Sequence, residues 1–235
     1  MRIRSRRERE KEYAELYGNV SLDVYERLQD KLGDKFNEDL LNMALDRVME
    51  AKESIEYRCL RFTFYEIPIQ AHRPRTNFKF RGLHVPNAKA NFDAIEKFIK
   101  NIDDELKVIT VPMRINLTAY APMPTTVNPL EMVLYETEHD YAIGKPDFDN
   151  ILKAYCDMIQ KHVIMDDDIV VSSSFNKYYS LKPRVVLDII FPNGVISEYT
   201  YKTITHRKSY KDLENYIDAK LLVTPYSKKK TNKRR

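Results

Sequence analysis

Lys145-Pro-Asp-Phe-Asp-Asn-Ile-Leu-Lys-Ala-Tyr-Cys-Asp157, with Asp166-Asp-Asp168 following a short apolar run, is the stretch from which the rest of the chain is read. Pro146 biases the residue before it away from helix, so the approach is extended. Residues two apart in an extended segment point to the same side. Asp147 and Asp149 therefore aim together if the helix starts at or just after Asp149. From there Asp149, Lys153 and Asp157 form one polar stripe, and Ile151, Leu152, Tyr155, Met158 and Ile159 form the buried one. The helix is expected to end near Lys161. Val163-Ile-Met165 then leads to the second acidic cluster and into a strand at Ile169-Val-Val171.

Such a set of hard carboxylate oxygens suits magnesium, with manganese as a substitute. Magnesium needs only one or two protein carboxylates when substrate phosphate and water complete its shell. Asp147, Asp149 and Asp167 are the expected metal ligands. Lys153 is placed to neutralise a scissile phosphate or its leaving group. Asp157, Asp168 and Asn150 support the set from behind. The third carboxylate is open between Asp167 and Asp168, with Asp167 preferred. The competing reading is structural: Asp147 or Asp149 caps the helix, Asp166 to Asp168 form a solvated turn, and Lys153 pairs with Asp149 or Asp157 across one helical turn.

These residues resemble the Holliday junction resolvases of the RusA family. That family carries a Lys/Arg-Pro-Asp-x-Asp-Asn-x-x-Lys-Ala helix start, a further Asp one helix later, and Asp-Asp before a strand. The matching positions are Asp147, Asp149, Asn150, Lys153, Ala154, Asp157 and the pair Asp166-Asp167. The resemblance covers roughly Leu60 to Phe191. It implies a homodimeric, magnesium-dependent endodeoxyribonuclease that resolves four-way DNA junctions by paired incision in recombination and repair. It also implies a phage or bacterial origin, since resolvases of this type often occur on phage and prophage genomes. Family members follow their first strand with a Gln-Arg-Pro-Arg-like loop. Here Gln70 and Arg73-Pro-Arg75 flank an inserted Ala71-His72. Arg73, Arg75, Lys79 and Arg81 interleave with Phe78 and Phe80, a pattern suited to phosphates and exposed bases. A solvated loop anchored by its two phenylalanines is the equal alternative.

Composition limits the other classes. With 235 residues, 43% hydrophobic and 31% charged, the chain has room for one medium domain plus an extension. Five scattered histidines and two distant cysteines, Cys59 and Cys156, suit neither a zinc site nor a disulfide. No run is apolar enough to cross a bilayer, and the basic start lacks the apolar core of a secretion signal, so a cytoplasmic protein is expected. The net charge of +4 is uneven: Met1 to Lys11 carries +4 and Lys228 to Arg235 carries +6, which leaves the interior at −6. DNA contact must therefore rest on the tails and on local patches.

The expected fold is α+β, a mixed sheet with packed helices. Residues 1–56 form an N-terminal helical extension, 57–205 the nuclease domain, and 206–235 a last helix and basic tail. Within the extension, helices are expected over Glu8 to Tyr17, after a Ser21 cap, and after an Asn37 cap, the last with Leu40, Leu41, Ala44, Leu45, Val48 and Met49 inward. In the body, strands are expected over Tyr57 to Ile67, Val108 to Tyr120, Asp168 to Asn176, Arg184 to Phe191 and Val195 to Thr203. Helices are expected over Ala88 to Ile102 and Ser209 to Leu222. Ala121 to Glu138 reads as a loop around Met132 to Tyr135. Two other activities fit parts of the pattern: a non-catalytic binder of branched DNA on the same fold, and a metal-dependent glycosyltransferase using Asp-x-Asp. The glycosyltransferase ranks a distant third, because its usual larger nucleotide-binding domain and the basic tail do not fit.

Overall fold

The computed structural model describes residues 22–37, 39–40, 42–44, 46, 53, 55–71, 75–77, 82–84, 93, 96–98, 100, 102, 105–194 and 196–222; the side chains of 22–26, 75–77 and 82–84 lie outside that description. Two compact units emerge, Met1–Ile55 and Glu56–Arg235. In the first, helix α1 spans Leu22–Leu32. Gly33 then enters a tight turn with φ of 53°, a conformation in which only glycine is unstrained. The Asn37 side chain accepts the Leu40 amide at 3.0 Å and so caps the next helical stretch. On that stretch Leu40, expected inward, is exposed, as is Met43. The Glu8 to Tyr17 expectation, and Leu41, Leu45, Val48 and Met49, lie outside the described residues.

The second unit is built on a four-stranded mixed sheet. Its strands are β1 (Tyr57–Phe64), β4 (Met113–Pro122), β5 (Val170–Ser180) and β6 (Arg184–Pro192), in the order β1-β6-β4-β5. A small hairpin, β2 (Arg75–Asn77) with β3 (Gly82–His84), stands apart from it. β6 runs antiparallel to both β1 and β4, and β5 runs parallel to β4. A parallel pair needs a crossover. Here it holds helices α2 (Pro129–Glu136) and α3 (Phe148–Ile159).

Alternation along the strands sorts the two faces. Ile115, Leu117 and Ala119 of β4 are fully buried, as are Val185, Leu187 and Ile189 of β6. Beneath them α3 contributes Ile151, Ala154, Tyr155, Met158 and Ile159, which is the apolar stripe its periodicity demands. The opposite face is polar: Arg61 lies opposite Asp188 and grips it through two bonds of 2.6 and 2.8 Å. Leu187 sits between Phe62 and Leu117 in the strand register. Leu187→Ala is therefore expected to cost about 2–5 kcal/mol in a denaturant melt. A loss below about 1 kcal/mol would mean that this face is not the core.

Several elements differ from expectation. The Ala121 to Glu138 loop contains a true helix, α2. Asn128 and Glu131 form a reciprocal capping box and Pro129 holds the first helical position. Val195 to Thr203 is not a strand, since Ser197 caps helix α4 (Glu198–Thr205) by accepting the Thr200 amide at 3.0 Å. The Ser209 to Leu222 helix reduces to one turn at Lys208–Lys211 and a 3-10 turn at Ala219–Leu222. β4 begins at Met113, not Val108, because Val108 and Ile109 pair elsewhere, with Tyr216 and Ile164. β5 continues past Asn176 to Ser180. The described residues beyond Thr205 reach the core: Ala219 is fully buried and Ile217 donates its amide to Val108 at 2.9 Å. No helix among the described residues is long and apolar enough to cross a membrane.

Candidate active site

The first acidic pair sits where α3 begins. Asp147 is the N-cap residue in extended geometry, φ −70° and ψ 146°, and its side chain makes no capping bond. Its carbonyl accepts the Ile151 amide at 3.2 Å, so the backbone does the capping and the carboxylate stays exposed. The helix starts at Phe148, one residue before Asp149. Asp149 is thus in the first turn, where the positive end of the helix dipole favours an anion.

The approach to this pair is fixed by β5. Lys177 donates to the carbonyls of Gly144 and Pro146 at 2.5 and 3.1 Å, and the Tyr179 hydroxyl donates to the Ile143 carbonyl at 2.8 Å. The Ala142 amide bonds the Lys177 carbonyl at 2.9 Å, and the Phe148 ring lies 6.0 Å from that of Phe175. Gly144 turns with φ of 105°, and the Lys145–Pro146 peptide is cis. The strand expected over Asp168 to Asn176 ends one residue before Lys177, so its alternation does not point to this clamp.

Lys153 is exposed one turn further on. The segment before the basic loop lies along the same helix: the Ala71 amide bonds the Asn150 carbonyl at 2.8 Å, and the Ile69 amide reaches the Tyr155 hydroxyl at 3.4 Å. The loop is therefore launched beside the first acidic pair. Arg73, Lys79 and Arg81 themselves lie outside the described residues, and Arg75 opens β2 with its side chain undescribed.

The second cluster is at the other end of α3. One carboxylate oxygen of Asp166 accepts from the Gln160 side chain at 2.7 Å and from the Asp167 amide at 3.0 Å. Asp168 is paired with Arg207. Asp167 is mostly exposed, yet its carboxyl is held above the usual carboxylate range. Partial desolvation is the largest cause, followed by a hydrogen bond with Asp166 and the charges of Asp166, Asp157 and Asp168. Asp157 thus belongs to this end. Cys156, packed beside it, is a free thiol pushed up to about 11, chiefly by burial, as suits an inert core residue.

A raised carboxyl means that the folded protein holds the Asp167 proton more tightly than the unfolded chain does. Its contribution to stability is present below the unfolded value near 4 and is lost as pH rises through the folded one. Asp167→Asn is therefore expected to melt higher than wild type at pH 7 in chelator, with the gap closing toward about pH 3. A variant that melts lower at pH 7 would make Asp167 a structural carboxylate.

Asp147 and Asp149 stand at the N-terminal end of α3, whereas Asp167 feels the charge of Asp157 near the C-terminal end. Asp147 and Asp157 are ten residues apart, about 15 Å along a helix. On β5 the steps from Val170 to Phe175 span about 17 Å. Among the described residues no three His, Cys, Asp or Glu side chains are gathered so as to hold a metal. The carboxylate oxygens at either end suit magnesium, which needs only one or two protein carboxylates when phosphate and water complete its shell.

The family profile described as Endodeoxyribonuclease RusA matches residues 67–190, just over half of the chain. A Bacillus subtilis (strain 168) protein called "Uncharacterized protein YqaN" is 28% identical over 131 residues, covering 54% of this chain and 92% of the relative. The matched residues contain both acidic clusters, α3, β4, β5 and all but the last two residues of β6. The match stops short of Arg207, whose pairing with Asp168 no local spacing signals.

Proposed function

Since the chain belongs to the RusA endodeoxyribonuclease family, we propose that it resolves four-way DNA junctions by paired, magnesium-dependent incision, acting as a homodimer in recombination and repair. Residues 57–205 form the nuclease body in this reading, 1–56 a helical extension, and 206–235 a C-terminal segment ending in a basic tail. Asp147, Asp149 and Asp167 are the proposed carboxylates, with Lys153 facing the phosphate. Asn150, Asp157 and Asp168 support them, and Arg73, Arg75, Lys79 and Arg81 contact DNA. The observation that carries the reading is Asp147, a helix-capping aspartate whose carboxylate is exposed and uninvolved in capping beside a second carboxylate.

Divalent magnesium supplies activation of water and stabilisation of the leaving oxygen when bound. The chain's own contribution is positional. The Lys177 clamp ties down the approach to Asp147, and Arg207 pairs with Asp168 beside Asp167. In this reading the two acidic ends, a helix apart in one chain, are joined by a second chain.

The test uses a synthetic junction and a linear duplex of matched sequence, each with and without magnesium or manganese, with wild type and Asp149→Asn side by side. Magnesium-dependent, paired nicking of the junction alone, lost in the variant while binding persists, supports the proposal. Binding without cleavage under either metal would assign the chain to the non-catalytic junction binders.

A further inference from the structure

The run Asp166-Asp-Asp168 offers more carboxylates than a magnesium ion asks of a protein. Asp166 caps a 3-10 turn over Asp167–Ile169. Such a helix rotates about 120° per residue, so neighbouring side chains leave it in different directions. Asp166 is used within the turn, where it accepts from the Asp167 amide and from Gln160. Asp168 is taken by Arg207, 39 residues further along the chain. Asp167 is surrounded by like charge: Asp166, Asp157 and Asp168 all raise its carboxyl, Asp168 the least of the three.

Arg207 is brought to the turn by the fold. It stands on the corner after α4, where its amide bonds the carbonyl of Ile204, a core residue, at 3.1 Å. Further on, Tyr216 bridges to Val108, and Ile109 bridges to Ile164, two residues before the acidic turn. The C-terminal segment is thereby registered against that turn. The Arg207 side chain is 30% exposed and that of Asp168 52%. A pair this open adds little to fold stability, so its consequence falls on the turn itself.

We propose that Arg207 is a positioning residue that holds Asp168 out of the metal-binding set and leaves Asp167 as the ligand in a run of three aspartates. This rests on the proposed function. Arginine suits the task, since its guanidinium stays charged and meets a carboxylate in a planar fork. Without it the Asp168 carboxylate is released beside Asp167. A divalent ion then gains a competing oxygen ligand and binds more tightly, while the set that serves the scissile phosphate is disturbed. Tighter metal with slower cutting is a combination that neither a purely structural arginine nor a phosphate contact produces.

Arg207→Ala, Arg207→Lys, Asp168→Asn and the Arg207→Ala/Asp168→Asn double variant are compared with wild type. Manganese binding to the DNA-free protein, read by electron paramagnetic resonance, should tighten roughly 3- to 10-fold in Arg207→Ala. In the Asp168→Asn background the same substitution should leave it unchanged. Junction nicking by Arg207→Ala should fall about 10-fold in kcat with KM unchanged. In the Asp168→Asn background the further loss should be less than about twofold. Arg207→Lys keeps the charge and should stay within about threefold of wild type. In chelator, Arg207→Ala should melt within about 2 °C of wild type. Equal losses in both backgrounds, weaker or unaltered manganese binding, or a large fall in melting temperature overturns the proposal. So does a raised KM, which would make Arg207 a DNA contact, an Arg207→Lys as slow as Arg207→Ala, or nicking abolished by Asp168→Asn, which would make Asp168 the ligand. If wild type nicks no junction, the proposed function fails and the manganese comparison alone decides the role of Arg207.

Discussion

Asp147→Asn should lower magnesium-dependent junction nicking by at least about 100-fold while leaving junction binding and the melting temperature close to wild type. Asparagine and aspartate serve equally well at a helix N-cap. The Asp147 side chain makes no capping bond whose loss would matter, since the capping bond comes from its backbone carbonyl. The only expected stability cost is the carboxylate's attraction to the helix dipole, about 0.3–1 kcal/mol. The Lys177 clamp acts on backbone carbonyls and survives the substitution. Retained nicking would remove Asp147 from the site. A large fall in melting temperature would instead mark it as part of the architecture.

The sequence makes α3 legible because two independent signals agree there. The apolar stripe from Ile151 to Ile159 has helical period, and Pro146 marks where extended chain ends. The strand faces of β1, β4 and β6 follow from period-two alternation in the same way. Elements were missed where two local signals compete. Prolines near Asn128 read as loop, although Asn128-Pro129 with Glu131 is a complete helix start. The alternation after Val195 reads as strand, although Ser197 caps a helix. At the acidic site the limitation was of another kind. Spacing along the chain shows which residues share a helix, but a correctly read helix also holds its two ends apart. Long-range partners leave no local trace, and Arg207 with Asp168, 39 residues away, is the example.

Two inactive variants, Asp147→Asn and Asp167→Asn, should restore nicking when co-refolded. If each site combines the Asp147 end of one chain with the Asp167 end of another, a mixed dimer holds one site carrying both substitutions and one carrying neither. Random pairing makes half of the dimers mixed, so about a quarter of all sites are intact. Recovery of roughly that share of wild-type nicking is the expected result, scored as single-strand nicks because each mixed dimer has one working site. Were all the carboxylates drawn from a single chain, every site in the mixture would carry a substitution and nothing would be recovered. The result turns on the spacing imposed by α3: a helix of twelve residues cannot fold its ends together, so either another chain closes the gap or the two acidic clusters do separate work. Failure to complement, in a preparation shown to contain mixed dimers, would mean the latter.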